Sequence, residues 1–402
     1  MNILFLTLIR IKDIEERGIY TDLMREFVEN GHQVHIARPS ERRYGENTTL
    51  NKIGDVVILN VKTLNLQETN LIEKGLATLF LEYQFLKATK KYFSNIKFDL
   101  ILYSTPPITF TKVVAYFKKR DQAKSYLLLK DIFPQNAVDL KMISKGGILH
   151  KYFSKKEKQL YAISDYIGCM SPANVDFLLR NNSELNPVKV EINPNSISPV
   201  VNDISITERN VIRLKYKLPT DKVIFVYGGN LGKPQGISFL IEALEALNND
   251  LAFFLIIGSG TAYSQIRNWF DLNQPTNAIL FSGMPKTDYD KLLRACDVGM
   301  IFLDPHFTIP NFPSRLLSYM ECKLPVLAAT DTTTDIGTII VDNDFGFWCE
   351  NGDLLAFEKY VLNLSKNLDL RKKMGEAAID YLKENYLAQH SYEKIIRRVK
   401  GV

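Results

Sequence analysis

Short apolar runs alternate with helical patterns along this whole chain, and that alternation admits one class of architecture, parallel sheets with crossover helices. In the first half the strand-like runs are "ILFLTL" (3–8), "QVHIA" (33–37), "DVVILNV" (55–61), "FDLILYS" (98–104), "SYLLLKD" (125–131) and "YIGCMS" (166–171). Helical stretches lie near 18–30, 72–94, 107–119, 147–163 and 172–181. The segment "NPNSISPVVNDISITERN" (193–210) has no apolar period, is rich in Pro, Asn and Ser, and reads as a linker. Strand signals resume with "KVIFVYGGN" (222–230), "FFLIIGSG" (253–260), "AILFSG" (278–283), "DVGMIFL" (297–303) and "LPVLAA" (324–329), and 354–400 is helical throughout. The expected fold is α/β, with two Rossmann-like, doubly wound parallel-sheet domains at 1–195 and 196–385 and a cleft between them. A final helix, 386–402, is expected to cross back to the first domain.

The 402 residues suit two such domains. A net charge of +5 is mild and gives no argument for nucleic acid. The four cysteines (Cys169, Cys296, Cys322 and Cys349) are widely spaced and read as reduced thiols, not as a disulfide or zinc framework. "NILFLTLI" at the start lacks a basic n-region and looks like a first strand, and no apolar run reaches the ~18 residues of a membrane span. A cytoplasmic enzyme is the expectation. Helices such as "FLKATKKYFSNIKF" (85–98) and "HKYFSKKEKQLY" (150–161) mix aromatics with lysines. They read as solvated faces with one packed side, or as a peripheral contact with the inner membrane surface.

Ligands of doubly wound sheets sit at the carboxyl ends of the strands, so chemistry belongs in the loops that follow them. "VYGGNLGKPQG" (226–236) places Gly228, Gly229 and Gly232 between a strand and a helix, where the backbone can approach an anion and Lys233 adds charge. It is neither a Walker loop nor G-x-G-x-x-G, and a plain tight turn is the bland reading. "IIGSGTAY" (256–263) repeats the arrangement with Gly258 and Gly260, and Gly283 with Met284 offers backbone to a flat ring. In "NFPSRLLSYMECKLPVLAA" (311–329), Asn311 or Ser314 is the candidate helix cap, Pro313 suits the first turn, and Arg315 is the first-turn cation. The helix dipole disfavours a cation there by a few tenths of a kcal/mol, so Arg315 wants an outside partner, either phosphate oxygens or a surface carboxylate.

In the first half, Gly18 at a helix start offers room for a phosphate or a sugar. "LLLKDIFPQNAVDL" (127–140) delivers Lys130 and Asp131 to the end of a buried strand, which signals either a salt bridge or an active-site group. There is no nucleophile elbow, no partner pattern among the five histidines, and no metal-ligand spacing.

These pieces, in this order, resemble the bacterial retaining glycosyltransferases of the GT-B fold, group one (family four), in the branch that builds O-antigens, capsules and exopolysaccharides. The carriers are "RGIYTDLMREFVENGHQV", "YSTPPI", "KDIFPQNAVDL", "INPN", "YGGNLGKPQGISFLIEAL", "IIGSG" and "PSRLLSYMECKLPVLA". The resemblance implies sugar transfer from a nucleotide-diphosphate sugar, a UDP-sugar favoured, to a glycan or lipid-linked oligosaccharide, with no metal and no cofactor. It implies that Gly229, Asn230 and Gly232 line the diphosphate with Arg315 as its cation, and that Gly258, Ser259, Gly260 and Met284 flank the base. Asp131 falls where many relatives have a His-Asp pair near the transferred sugar, the His position being Lys130. The two glutamates common in the family fall on Pro310 and Ser318, and Glu321 lies one helical turn beyond Ser318. With Ser314 at the cap and Gly18 opposite, these complete the expected donor set. Two other readings stay open: an inactive nucleotide-sugar-binding partner subunit and a non-hydrolysing nucleotide-sugar epimerase.

Overall fold

The computed structural model describes residues 1–401 except 67, 68, 70, 248 and 249. It divides into two compact units, one of Met1–Ser198 with Leu387–Val402 and one of Pro199–Tyr386.

The first unit holds β1 (Asn2–Leu6), β2 (Gln33–Glu41), β3 (Thr49–Ile53), β4 (Val56–Thr63), β5 (Leu100–Ser104), β6 (Lys124–Leu129), β7 (Tyr166–Cys169) and β8 (Val190–Ile192). They form one sheet in the order β3-β4-β2-β1-β5-β6-β7-β8, parallel except for β3 against β4. Helices cover both faces, so strands such as β1 and β5 are apolar on both sides, as a parallel sheet requires. On one face Ile3, Phe5, Val34 and Ile36 pack with Leu23, Met24 and Phe27 of the helix Ile19–Glu29. The closing helix Ala388–Lys400 joins that face through Ile395, and Tyr392 meets the Phe27 ring edge-on at 5.0 Å. On the other face Leu4, Leu6, Ala37 and Ile101 pack with Phe85, Val113 and Phe117.

The second unit holds β9 (Val223–Asn230), β10 (Ala252–Ser259), β11 (Ala278–Phe281), β12 (Val298–Phe302), β13 (Val326–Thr330) and β14 (Gly346–Glu350). The order is β11-β10-β9-β12-β13-β14, all parallel. This is the doubly wound order 3-2-1-4-5-6, whose switch point lies between β9 and β12. In the first unit the corresponding point lies between β1 and β5.

Three strands carry no clear sequence signal. β3 is exposed along its whole length, β8 has three residues, and β14 lies at a sheet edge. The stretch read as a linker is shorter than 193–210. Ser205 and Glu208 close a reciprocal capping box, and a helix runs over Ile206–Lys215. β6 ends at Leu129, so Lys130 and Asp131 lie just past the strand.

Candidate functional site

In the second unit, the chain leaves β9 through Gly228, Gly229 and Asn230, and Gly229 adopts φ +129°, a conformation that favours glycine. The neighbouring strand β10 ends in Gly258, where a Cβ would stand 2.0 Å from the Gly229 carbonyl oxygen. Gly260 follows at φ +150°, with Asn230 Oδ1 and Leu231 O each 2.5 Å from where its Cβ would be. Glycines therefore let the ends of two adjacent strands close up into a bare backbone floor. Leu231 N–H ties the floor together by donating to Ser259 O at 2.8 Å.

Arg315 stands beside that floor as the first residue of the helix Arg315–Glu321. Its guanidinium lies 4.1 Å from the Tyr227 ring centroid, and Nη2 is 3.3 Å from the Cβ position of Gly229. Nη1 is buried without a hydrogen-bond partner, and among the described residues no carboxylate forms an ion pair with Arg315. Burial works against its charge, but Tyr227, Tyr319 and Tyr289 outweigh it and hold the guanidinium protonated. These three tyrosines form the wall behind the glycines. Tyr319 donates to Met300 O at 3.1 Å and accepts from Gly228 N–H at 3.3 Å, and Tyr227 donates to Asn230 O at 2.8 Å. Motif reading missed them, because Tyr227 in an apolar run looks like core and Tyr289 and Tyr319 look like ordinary helix residues. The only clue is that Tyr227 directly precedes the glycine pair.

The other expected donor residues divide. Asn230, Gly232, Gly258, Ser259 and Gly260 share this floor, although Gly232 N–H is taken by Gln235 Oε1 at 3.2 Å, which also binds Asn230 Nδ2. Lys233 is exposed in the one-turn helix Lys233–Gln235. Met284 follows Gly283, whose Cβ position is 3.8 Å from Ser259 Oγ. Ser318 lies one turn beyond Arg315 and is half-buried. Neither Asn311 nor Ser314 caps the helix, and Pro313 precedes it: Ser314 already has helical angles (φ −63°, ψ −20°), so its exposed side chain cannot turn back. Glu321 is a correction. It sits at the other end of this short helix, buried, with Oε1 accepting from Val200 N–H at 2.6 Å. It lines a separate hollow with Asp203, Arg294 and Lys323.

The first unit builds something different at its carboxyl edge. The N–H groups of Lys130 and Asp131 both donate to Thr105 Oγ1, at 3.0 and 3.1 Å, which fixes the turn after β6. Lys130 Nζ donates to Asn193 O at 3.0 Å, and Asn136 Nδ2 donates to Asp131 Oδ1 at 3.2 Å. The two charged groups do not pair with each other. Burial pulls the Lys130 ammonium down to about 7, with Lys394 adding to it and Cys169 opposing. Burial pushes the Asp131 carboxyl up to about 6, Asn136 opposing. Tyr20, hydrogen-bonded to Ser104 and beside Asp131, is pushed up by burial to about 12. Of the two readings for a charged strand end, the salt bridge between these neighbours is absent. Gly18 stands at the start of the helix Ile19–Glu29, as expected from the sequence, with φ 173°, ordinary extended backbone, and its N–H held by Asp22 Oδ1 at 3.1 Å.

Comparison with known proteins puts this geometry in context. A model of the glycosyl transferases group 1 matches residues 208–381. The probable glycosyltransferase WbjE of Pseudomonas aeruginosa is 23% identical over 334 residues, 83% of this chain and 82% of that protein. Among solved structures, WaaG, a glycosyltransferase involved in lipopolysaccharide biosynthesis, superposes with a TM-score of 0.67 at 13% identity over all of both chains. The Anabaena protein HepE in complex with UDP superposes at 0.71 with 13% identity, also over all of both chains.

Proposed function

We propose, for a chain that carries a group 1 glycosyl transferase domain on a GT-B fold, that it moves a sugar with retention from a UDP-sugar to a glycan or lipid-linked oligosaccharide of a cell-surface polysaccharide. The observation that carries this reading is Arg315, a guanidinium with a buried, unpartnered donor beside a glycine floor at the switch point of the second sheet. A planar fork of donors fits diphosphate oxygens. Side chains would keep those oxygens away from the backbone, and the glycines remove them. The names of the relatives support the substrate class, since HepE binds UDP and WaaG serves lipopolysaccharide synthesis.

In this account the second unit stabilises the charge that develops on the departing diphosphate, chiefly through Arg315 with Lys233 adding to it. The acceptor hydroxyl attacks from the face the diphosphate leaves, through an oxocarbenium-like state, and the departing diphosphate takes its proton. No protein nucleophile is needed, and no metal is called for while cations of the chain offset the charge. The first unit positions the acceptor. Asp131, a carboxylate above a pH of about 6, orients its hydroxyls.

A peripheral membrane contact belongs to the same reading. Exposed Leu79, Phe80 and Tyr83 lie on the helix Leu71–Tyr92, and exposed Ile148 and Leu149 on Ile148–Ile163 among Lys151 and Lys155. Lys156 and Glu82, 3.4 Å apart, join the two helices. None of the described helices is long and apolar enough to cross a membrane. Cosedimentation with anionic vesicles, lost in a Leu79→Glu/Phe80→Glu variant, checks the contact.

The test of the function is a thermal-shift panel with UDP, GDP, dTDP, CDP, ADP and NAD. A ligand at ~100 times its Kd stabilises by about 2.7 kcal/mol, a readable shift. UDP is expected to shift the wild type and not Arg315→Ala. A shift with NAD alone, or with none of the six, overturns the reading.

A further inference from the structure

The first unit buries a second guanidinium that the transfer chemistry above does not use. Val34, Ile36 and Arg38 alternate onto one face of β2, and in the neighbouring strand β4 their register partners are Val56, Ile58 and Asn60. The first two pairs belong to the apolar core. The third, one step nearer the carboxyl end, is a pair of buried polar side chains, with Arg38 6% and Asn60 4% exposed. A polar pair at this depth should be satisfied, because an unmade hydrogen bond costs ~1–3 kcal/mol. This pair is not. Arg38 Nε has no partner, its Nη1 reaches only the carbonyl of the next residue, Pro39, at 3.2 Å, and Asn60 Oδ1 is also unpartnered.

Among the described residues no carboxylate forms an ion pair with Arg38. The groups facing it are Arg10, Glu16, Tyr44 and Glu46. Glu46 is engaged elsewhere, 3.8 Å from Arg10 and accepting from Ser40 Oγ. Arg10 stacks on Tyr44 with its guanidinium carbon 4.0 Å from the ring centroid. That leaves the Glu16 carboxylate as the other negative charge near Arg38, without a direct ion pair to it. Burial lowers the Arg38 pKa and Arg10 lowers it further, with Glu46, Glu16 and Tyr44 opposing, so the guanidinium is charged at a cost in desolvation that no direct ion pair offsets. It lies at the carboxyl end of β2, next to the switch point of its sheet, where doubly wound folds receive ligands.

We propose that Arg38, with Arg10 at its rim, is an anion subsite that holds a phosphate or carboxylate group of the acceptor. The assignment of that anion to the acceptor rests on the transferase reading; the site itself does not. A guanidinium fork gives bidentate contact to either oxyacid, and Arg10 supplies a second cation on the open side. An acceptor carrying such a group would be selected over its neutral counterpart, since without it Arg38 stays buried and unpaired.

The experiment is isothermal titration of the Arg315→Ala protein with inorganic pyrophosphate and, separately, with malonate. Arg315→Ala disables the proposed donor site, so heat from the remaining site is read alone. Binding of either probe is expected, weakened at least tenfold by adding Arg38→Gln and also by adding Arg10→Gln. Melting without ligand shows whether Arg38→Gln still folds, and the rim variant keeps the test alive if it does not. Pyrophosphate binding assigns a phosphate-bearing acceptor, and malonate binding a carboxylate-bearing one. No binding of either probe, or binding indifferent to both substitutions, overturns the subsite while leaving the donor reading intact. If Arg315→Ala binds pyrophosphate as well as the wild type does and Arg10→Gln abolishes it, the subsite stands and the donor reading falls.

Discussion

The two sheets share the core order 3-2-1-4-5-6, yet their switch points are furnished in opposite ways. In the second unit the strand ends are glycines over three tyrosines, with one guanidinium beside them. In the first unit the strand ends carry Ser104, Thr105, Lys130 and Asp131 under Tyr20, and burial moves both charged groups toward neutrality. A bare backbone with a fixed cation suits a large, invariant anion. A polar edge whose buried groups titrate at about 6 and about 7 suits the orientation of acceptor hydroxyls. The contrast is the chemical ground for the proposal that the diphosphate binds the second unit and the acceptor the first.

The contrast breaks most visibly at Arg315. Arg315→Ala is expected to lower sugar-transfer turnover by about 10²–10³-fold, as removal of one preorganised donor to a developing anion does. Release of UDP from a UDP-sugar, followed by a coupled assay, measures it. A loss below threefold would move the anion elsewhere.

Next comes Asp131→Asn, with an expected loss of roughly 10²-fold that reaches the lower end of the Arg315 range. The pH profile separates the two. Because the Asp131 carboxyl titrates at about 6, wild-type kcat/KM should fall as pH drops through 6. The same limb should be missing in Asp131→Asn and kept in Arg315→Ala.

Gly258→Ala tests the floor by structure instead of charge. Its Cβ would stand 2.0 Å from the Gly229 carbonyl oxygen, a backbone atom that cannot swing aside as a flexible side chain could. Overpacking of this kind costs about 1–3 kcal/mol, so the melting midpoint should fall and UDP affinity with it. An unchanged midpoint would mean that the two strand ends do not need to close.

The smallest effect is one of stability. The Asp131 pKa is raised from 3.8 to about 6, so between those values the folded chain holds a proton that the unfolded chain has lost, and stability falls as pH rises through the window. Asp131→Asn should therefore gain about 2–4 °C at pH 8 and nothing at pH 3.5. Lys130 works in the opposite sense. Lowered from 10.5 to about 7, it makes stability rise between pH 7 and 10, and Lys130→Met should flatten that rise. Differential scanning across pH reads both.

Much of this was legible in the sequence because parallel sheets buried on both faces leave unbroken apolar runs, and every central strand announced itself that way. The exposed strand Thr49–Ile53 and the three-residue β8 have no such run, so nothing in composition marks them. The glycines after β9 and β10 were readable, since a strand-to-helix turn with close backbone approach leaves few other residues. Glu321 was not. Its spacing from Ser318 places it one turn on, but a seven-residue helix carries it to the far end, where Val200 N–H claims it. The tyrosine wall and the buried Arg38 depend on contacts between elements distant in sequence, which no local pattern encodes. The helix cap failed for a local reason: Ser314 already has helical angles, and its side chain makes no cap hydrogen bond.

The most direct measurement is isothermal titration of UDP into the wild type and into Arg315→Ala. The account expects one site in the wild type and an affinity at least tenfold weaker in the variant, the share of a charged hydrogen bond worth ~1.5–3 kcal/mol. Equal affinity in the two proteins would contradict it, because the diphosphate would then rest on something other than the guanidinium beside the glycine floor.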